Sequence, residues 1–134
     1  MKKVIETGIQ KRFADIDMFR HVNNIHQQAY LDLGKTDYYR RVLALDALIH
    51  NPTLVIVSAS TEFIGQVRYE DEITVRSWVE RAGGKSITLR QQIVCSDRGG
   101  GAVKTESESV LVCFDLHTQQ TRELPDAWRA AIDG

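Results

Sequence analysis

Four β-rich runs follow one long helical segment in this 134-residue chain, and this order restricts the possible fold most. Gly83-Gly84 and residues 97–101 separate successive runs. Short glycine-containing connections of this kind join antiparallel strands. A single helix packed on one antiparallel sheet is an α+β domain. The predicted strands span residues 54–63, 71–81, 85–96 and 102–116.

The predicted long helix spans residues 22–43, where apolar residues recur at helical spacing. Gly34 lies inside it and costs about 1 kcal/mol relative to alanine, so we expect a bend there or a close approach of another backbone. Residues 4–14 predict a first strand, residues 44–53 a connection, and residues 126–132 a terminal helix anchored by Trp128. The expected buried stripe of the long helix comprises Val22, Ile25, Ala29, Leu33 and Val42, widened by Tyr30, Leu31, Tyr38, Tyr39 and Leu43.

Composition predicts one domain over residues 1–134, large enough for its own core. The 17 basic and 18 acidic residues nearly cancel, so no overall field favours nucleic acid or an anionic membrane. No apolar run approaches the roughly 20 residues that span a bilayer, and the polar N-terminal run does not fit a signal peptide. We therefore expect a cytoplasmic protein whose Cys95 and Cys113 are buried thiols. The scattered histidines and the lack of a Cys-x-x-Cys pattern predict no metal site.

Two acids, Asp15 and Asp17, come just before the predicted helix, and Asn23 or Asn24 provides its N-cap. The first turn of a helix has unpaired N–H groups and a partial positive charge. Such a place stabilises an oxyanion, and a nearby carboxylate is suited to attack on a carbonyl. If the strand continues, both acids lie on the same side of it. The segment therefore predicts acyl chemistry, although Asp17 could also be a helix-capping acid.

Residues 13–24 also carry a recognisable motif. It resembles that of the hotdog-fold acyl-CoA thioesterases of the 4-hydroxybenzoyl-CoA thioesterase-like family, approximately aromatic-x-Asp-x-Asp-x-x-Gly-His-Val-Asn-Asn before a long helix. The resemblance implies a curved antiparallel sheet wrapped around a central helix, and hydrolysis of an acyl thioester without a cofactor. The matching residues are Phe13, Asp15, Asp17, His21, Val22, Asn23 and Asn24, whereas Arg20 stands in place of the glycine.

The same resemblance assigns roles to individual residues. Asp17 corresponds to the catalytic carboxylate, acting as nucleophile or as general base on water, and Asp15 is expected to be structural. His21 could act as a base or contact the thioester carbonyl, and Asn23 is mainly a cap. The backbone N–H groups of Asn24 and Ile25 are candidates to face the substrate oxygen.

Basic residues are candidates for contacts with an anionic substrate. Arg20 either accompanies a rearranged turn or contributes a charge at the pocket mouth, since arginine does not tolerate a positive φ as glycine does. Lys85 matches a basic position that meets the CoA nucleotide in relatives, and Arg122 is a weaker candidate of the same kind. Each can equally be an ordinary solvated side chain.

The resemblance further implies a homodimer or homotetramer with active sites between subunits, and unpaired sheet edges favour the same expectation. The substrate would be an acyl-CoA or an acyl-carrier-protein thioester. Two alternatives stay open: a non-catalytic acyl-thioester-binding protein and a hotdog hydratase or dehydratase.

Overall fold

The computed structural model describes residues 2–45, 50–96 and 101–134. One long helix lies against one antiparallel sheet, which confirms the α+β prediction. The strands follow the order β1-β3-β4-β5-β2, and the short β6 pairs with β5. The elements are β1 (Ile5–Ile9), α1 (Asn24–Arg41), β2 (Thr53–Phe63), β3 (Ile73–Ala82), β4 (Ser86–Cys95), β5 (Val103–Asp115), β6 (Gln120–Thr121) and α2 (Asp126–Asp133).

The predicted hairpins account for the sheet order. The Gly83-Gly84 turn joins β3 to β4, and β4 pairs with β5 in a register that places Ser86 opposite Val112. The predicted turn at residues 97–101 and the connection at residues 44–53 lie partly outside the described residues. Register shifts leave one extra residue in each of β2, β3 and β5 and mark β-bulges, which bend strands.

The first strand is shorter than predicted. β1 ends at Ile9, and a 3₁₀ turn occupies Phe13–Asp15. The Arg12 N–H donates to Asp15 Oδ2 at 3.1 Å, and the Asp15 N–H donates to the Arg12 carbonyl at 2.9 Å. These two bonds hold the chain in a turn rather than an extended strand. The strand therefore does not continue to Asp17, and the condition for placing Asp15 and Asp17 on the same side of it is not met.

The buried face of α1 differs from the predicted stripe. Its middle positions Ile25, Ala29 and Leu33 are exposed, with 71% of Ile25 and 56% of Leu33 accessible. Val22 and Val42 are buried, but both lie outside the helix. The predicted Tyr30, Leu31 and Tyr38 are buried, and the face that contacts the sheet comprises Gln27, Tyr30, Leu31, Gly34, Lys35 and Tyr38. α1 packs mainly on β1, β3 and β4, which leaves the side of the helix nearer to β2 uncovered.

A polar layer crosses the core between two apolar clusters. The cluster nearer to α2 includes Leu89 and Trp128, and the other includes Val75 and Ile93. Between them, Gln91 on β4 lies opposite Ser77 on β3.

The same layer binds the helix to the sheet. Gln91 Nε2 donates to Ser77 Oγ at 2.9 Å and to the Leu31 carbonyl of α1 at 2.8 Å. A Cβ added at Gly34 would lie 2.5 Å from Val75 Cγ1. The glycine thus permits a close approach, but to side chains of the sheet rather than to the backbone that was predicted.

The C-terminal helix closes the other end of the core. Trp128 and Ile132 are buried in α2, which confirms the predicted anchor. Cys95 and Cys113 are free and buried, as predicted. No helix among the described residues is long and apolar enough to cross a membrane.

Candidate active site

Asp17 opens a tight turn just before α1. Its N–H donates to the His21 carbonyl at 3.0 Å, and its carbonyl accepts from the Arg20 N–H at 3.0 Å. One carboxylate oxygen, Oδ1, accepts from the Phe19 N–H at 2.9 Å. These bonds fix the carboxylate relative to its own backbone.

The turn requires a left-handed residue at position 20. Arg20 has φ 66°, the conformation that the glycine of the family motif would adopt without strain. The turn is therefore retained despite the substitution, at a local cost of about 1 kcal/mol. The side chain is exposed.

Asp15 is buried behind this turn, with 1% of its surface exposed. It accepts hydrogen bonds from the Tyr30 hydroxyl of α1 and from Arg12, whose Nη2 lies 2.9 Å from Oδ1. His26 Nδ1 lies 3.3 Å from the same oxygen. The Asp15 carbonyl accepts from the Asn23 N–H at 3.0 Å. The residue therefore joins the turn to the first residues of α1, in keeping with the structural role expected for it.

The hydrogen bonds around Asp15 decide its protonation. Burial works to raise the pKa of its carboxyl, but the bonds from Tyr30 and Arg12 outweigh burial and hold the pKa at about 2, below the ordinary 3.8. Burial and the bond to Asp15 together raise the pKa of Tyr30. Asp15 is therefore an anion throughout the physiological range, with its oxygens occupied by donors.

A cavity of about 280 Å³ lies on the other side of the turn. Asp17, His21, Asn24 and Gln27 line one wall, and residues 63–67, which lead out of β2, line the other. The structure thus brings together three of the predicted site residues, Asp17, His21 and Asn24.

The first turn of α1 supplies a backbone donor to this cavity. Asn23 is the N-cap, and its Oδ1 accepts from the Ile25 N–H at 2.7 Å. The Ile25 N–H is therefore occupied by the cap, and its side chain is exposed. Asn24 lines the cavity, and its N–H donates to no group in the described parts of the chain. This N–H is an available donor at the positive end of the helix.

Gln27 was not predicted from the sequence as a site residue. It is buried, with 4% exposed, and its side chain is bonded at both ends. Oε1 accepts from Thr105 Oγ1 on β5 at 2.5 Å, and Nε2 donates to the Val22 carbonyl at 3.3 Å. An available signal was its spacing of three and four residues from Tyr30 and Leu31, which places it on the buried face of the helix.

A second, open cavity of about 420 Å³ adjoins the first through His21. Phe19, Arg20, Arg68 and Glu70 complete its lining. Neither guanidinium forms an ion pair with a carboxylate in the described residues. Two arginines thus lie beside the Asp17 cavity, and Arg68 is a further residue that the sequence did not reveal.

Lys85 and Arg122 lie far from this cavity within one chain. Lys85 follows the β3–β4 turn and directly precedes Ser86. Ser86 lies seven residues along β4 from Ile93, and Ile93 pairs with Thr105 of β5. This separation is about 23 Å along the strand. Arg122 Nη1 lies 3.5 Å from Asp115 Oδ2 at the same remote end of the sheet. The structure does not bring these two residues to Asp17.

No group of three or more His, Cys, Asp or Glu side chains arranged to hold a metal ion occurs in residues 2–45, 50–96 and 101–134.

Known proteins share both the sequence pattern and the fold. Residues 12–132 match the thioesterase-like superfamily. The long-chain acyl-CoA thioesterase FadM of Escherichia coli (strain K12) is 25% identical over 130 residues, which cover 96% of this chain and 97% of FadM.

Two solved structures illustrate the shared fold. A predicted thioesterase from Bacillus stearothermophilus superposes with a TM-score of 0.85 and 23% identity, covering 98% of this chain and 95% of that one. A thioesterase from Thermus thermophilus, solved with coenzyme A and Zn, gives a TM-score of 0.84 and 22% identity, with both chains fully covered.

The low pKa of Asp15 predicts a specific loss of stability in acid. Because the folded state holds this proton more weakly than the unfolded chain, the stabilisation is complete above the ordinary pKa of 3.8 and is lost as pH falls towards about 2. We expect a contribution of about 2 kcal/mol to the free energy of unfolding, measured by denaturant titration across pH 5 to 2. Asp15→Asn should flatten this part of the pH profile, whereas Asp32→Asn on the exposed side of α1 should not. An unchanged profile in Asp15→Asn would contradict the assignment.

Proposed function

Since this chain belongs to the thioesterase-like superfamily and has the hotdog fold, we propose that it hydrolyses acyl-CoA through Asp17. The chain is a thioester hydrolase at the level of the family. The observation that carries the proposed mechanism is one cavity lined by both Asp17 and Asn24, the first residue of α1. The reaction takes an acyl thioester and water to a free acid and the thiol of CoA, without a cofactor.

Asp17 supplies the attacking group in this proposal. As a nucleophile, its carboxylate attacks the thioester carbon, the thiolate leaves, and water hydrolyses the resulting anhydride. As a general base, it removes a proton from a water molecule that attacks the same carbon. Both routes place negative charge on the carbonyl oxygen, where the Asn24 N–H and the helix N-terminus stabilise it. His21, on the same wall, is positioned to contact the carbonyl or the attacking water.

Arg20 and Arg68 are proposed to bind an anionic part of the substrate. Both line the cavity beside the Asp17 site, and neither forms an ion pair with a described carboxylate. A guanidinium binds phosphate or carboxylate oxygens through paired hydrogen bonds. FadM acts on long-chain acyl-CoA by its name, which supports CoA as the thiol carrier here. Lys85 and Arg122 can bind the CoA nucleotide only if a second copy of the chain places the far end of its sheet beside this cavity.

A homodimer is the assembly that we propose, and a tetramer is its possible extension. Ile25, Ala29 and Leu33 form an exposed apolar stripe on α1. β2 is an edge strand with exposed Val55, Ile56 and Val57.

The helix stripe and the edge strand lie on the same side of the molecule. Gln28 of α1 donates to Thr61 Oγ1 of β2 at 2.9 Å, which joins the two elements. An 11-residue edge strand and an adjoining apolar stripe form a surface suited to a second copy of the chain. Residues 63–67 continue from this edge into the Asp17 cavity, so a partner here would add to its wall. The cytoplasmic location stays a prediction.

Asp17→Asn tests the central proposal. The amide has nearly the shape of the carboxylate but is neither a nucleophile nor a base, so kcat should fall at least about 100-fold. Free thiol release should be followed with a panel of acyl-CoA and acyl-pantetheine esters that includes a long-chain acyl-CoA.

Asp15→Asn is the matched control for this substitution. It should lower the melting temperature and retain more of the activity than Asp17→Asn. A loss of tenfold or less in Asp17→Asn on the best substrate would contradict the assignment. Binding without thiol release by the wild type would indicate an acyl-thioester-binding protein, and a changed acyl double bond would indicate a hydratase.

Arg20→Gly tests two effects of the arginine, its left-handed backbone strain and its side-chain charge. Removal of the left-handed strain should raise the free energy of unfolding by up to about 1 kcal/mol. Loss of the charge should raise KM for acyl-CoA several-fold while kcat changes little, because a contact remote from the reacting atoms is equal in ground and transition states.

Arg20→Lys is the control that retains charge, and it should give a KM near that of the wild type. Lys85→Ala should raise KM for acyl-CoA but not for an acyl-pantetheine that lacks the nucleotide. An unchanged KM in both Arg20→Gly and Lys85→Ala would contradict anion binding at either place.

Leu33→Lys tests the proposed subunit interface. A charge in the centre of the apolar stripe should convert the dimer to a monomer in sedimentation equilibrium at micromolar concentration. Val4→Lys alters an exposed apolar residue outside the stripe and should leave the assembly intact. An active wild-type monomer would contradict the proposed dimer.

A further inference from the structure

Gln27 lines the Asp17 cavity and carries a hydrogen-bond donor with no partner among the described residues. The residue lines this cavity beside Asn24 and is almost completely buried. Asn24 and Gln27 are three residues apart on α1, so both lie on the same face of the helix. The two residues therefore line the same cavity from one face of the helix.

The orientation of the Gln27 amide is determined by its partners. The Val22 carbonyl can only accept a hydrogen bond, so the end of the side chain that contacts it at 3.3 Å must be Nε2. The other end, Oε1, then accepts from Thr105 Oγ1 at 2.5 Å. The Val22 carbonyl fixes this assignment, and the Thr105 hydroxyl, which can donate or accept, is compatible with it.

This arrangement leaves one N–H of the amide without a partner. Nε2 carries two hydrogens, and only the bond to Val22 uses one within the described residues. Leaving a buried donor unpaired costs about 1–3 kcal/mol. Because Gln27 lines the cavity, a ligand bound there can supply the missing acceptor.

We propose that Gln27 donates this N–H to the carbonyl oxygen of the bound thioester, together with the Asn24 N–H. The inference rests on the proposed thioesterase function. Two fixed donors would then stabilise the oxyanion as the carbonyl carbon is attacked, and a donor held before the reaction begins needs no reorganisation. Gln27 is thereby a catalytic residue.

Thr105 is the positioning residue for this donor. It is completely buried on β5, opposite Phe63 of β2, a residue of the cavity wall. Its hydroxyl fixes Oε1 and therefore the plane of the Gln27 amide. Loss of the hydroxyl would allow the amide to rotate without removing any atom from the cavity.

The test begins with Gln27→Met, which keeps approximate length and removes the amide. We expect kcat to fall about 100-fold, as for loss of one oxyanion donor, and KM to change less than about threefold. Gln92→Met makes the same substitution on the outer face of β4, where the amide bonds Glu106, and should retain the wild-type kcat. A folded Gln27→Met variant with kcat within about threefold of the wild type would overturn the proposal.

Thr105→Val and Thr105→Ser test the positioning role separately from folding. The valine variant should lower kcat about tenfold, and the serine variant, which keeps the hydroxyl, should restore it. Equal kcat values for both folded variants would overturn the role of Thr105.

A spectroscopic measurement completes the test without turnover. The infrared carbonyl stretch of a ¹³C-labelled acyl-CoA bound to Asp17→Asn should lie at lower frequency than in water, and the added Thr105→Val should reduce that shift. An identical shift in both backgrounds would overturn the proposal even if Gln27→Met does not fold. A wild-type protein that releases no thiol from any ester would refute the proposed function itself, whereas active Gln27→Met refutes only this inference.

Discussion

The buried Asp15 carboxylate is the interaction on which the geometry of the site depends. It is an anion in the interior, and such a group is tolerated only when donors surround it. Tyr30 and Arg12 provide these donors, and the Asp15 carbonyl also accepts from Asn23 at the N-cap of α1. The turn that carries Asp17 is thus held to the helix whose N-terminus faces the cavity. The Asp17 carboxylate and the N-terminus of α1 are thus brought together by a residue that is not part of the cavity lining.

The motif led to the correct fold and family. It also named residues that lie together in the structure, because these residues are close in sequence. Asp17, His21 and Asn24 span eight positions, and one turn followed by one helix places them on a common wall. The structural role of Asp15 could also be predicted from the sequence, but the side to which its side chain points could not. An alternation rule applies only within a strand, and the 3₁₀ turn interrupts the extended chain there.

Other features had no local signal. Helical spacing identified an apolar stripe on α1, but it did not show whether the sheet or a partner would cover that stripe. The face of α1 that contacts the sheet also contains the polar residues Gln27 and Lys35. The bond between Gln27 and Thr105 joins residues 78 apart in the chain. Such a pair depends on the register of β5 and on the height of the helix above the sheet. The secondary-structure propensities of individual residues specify neither of these. The conformation of Arg20 was similarly inaccessible, because a turn can override the preference of one residue at a modest cost.

The polar layer formed by Gln91 and Ser77 favours one position of α1 along the sheet over the alternatives. Apolar surfaces slide past one another at little cost, so a helix that rested only on Val and Leu side chains would have several nearly equivalent positions along the sheet. Here a shift of one helical turn would detach Gln91 from the Leu31 carbonyl and bring a Cβ-bearing residue to the place of Gly34. Alternative positions are therefore penalised both by an unsatisfied amide and by a steric clash. The position of α1 on the sheet, and with it the first turn beside Asp17, is in this sense determined by core residues that do not line the cavity.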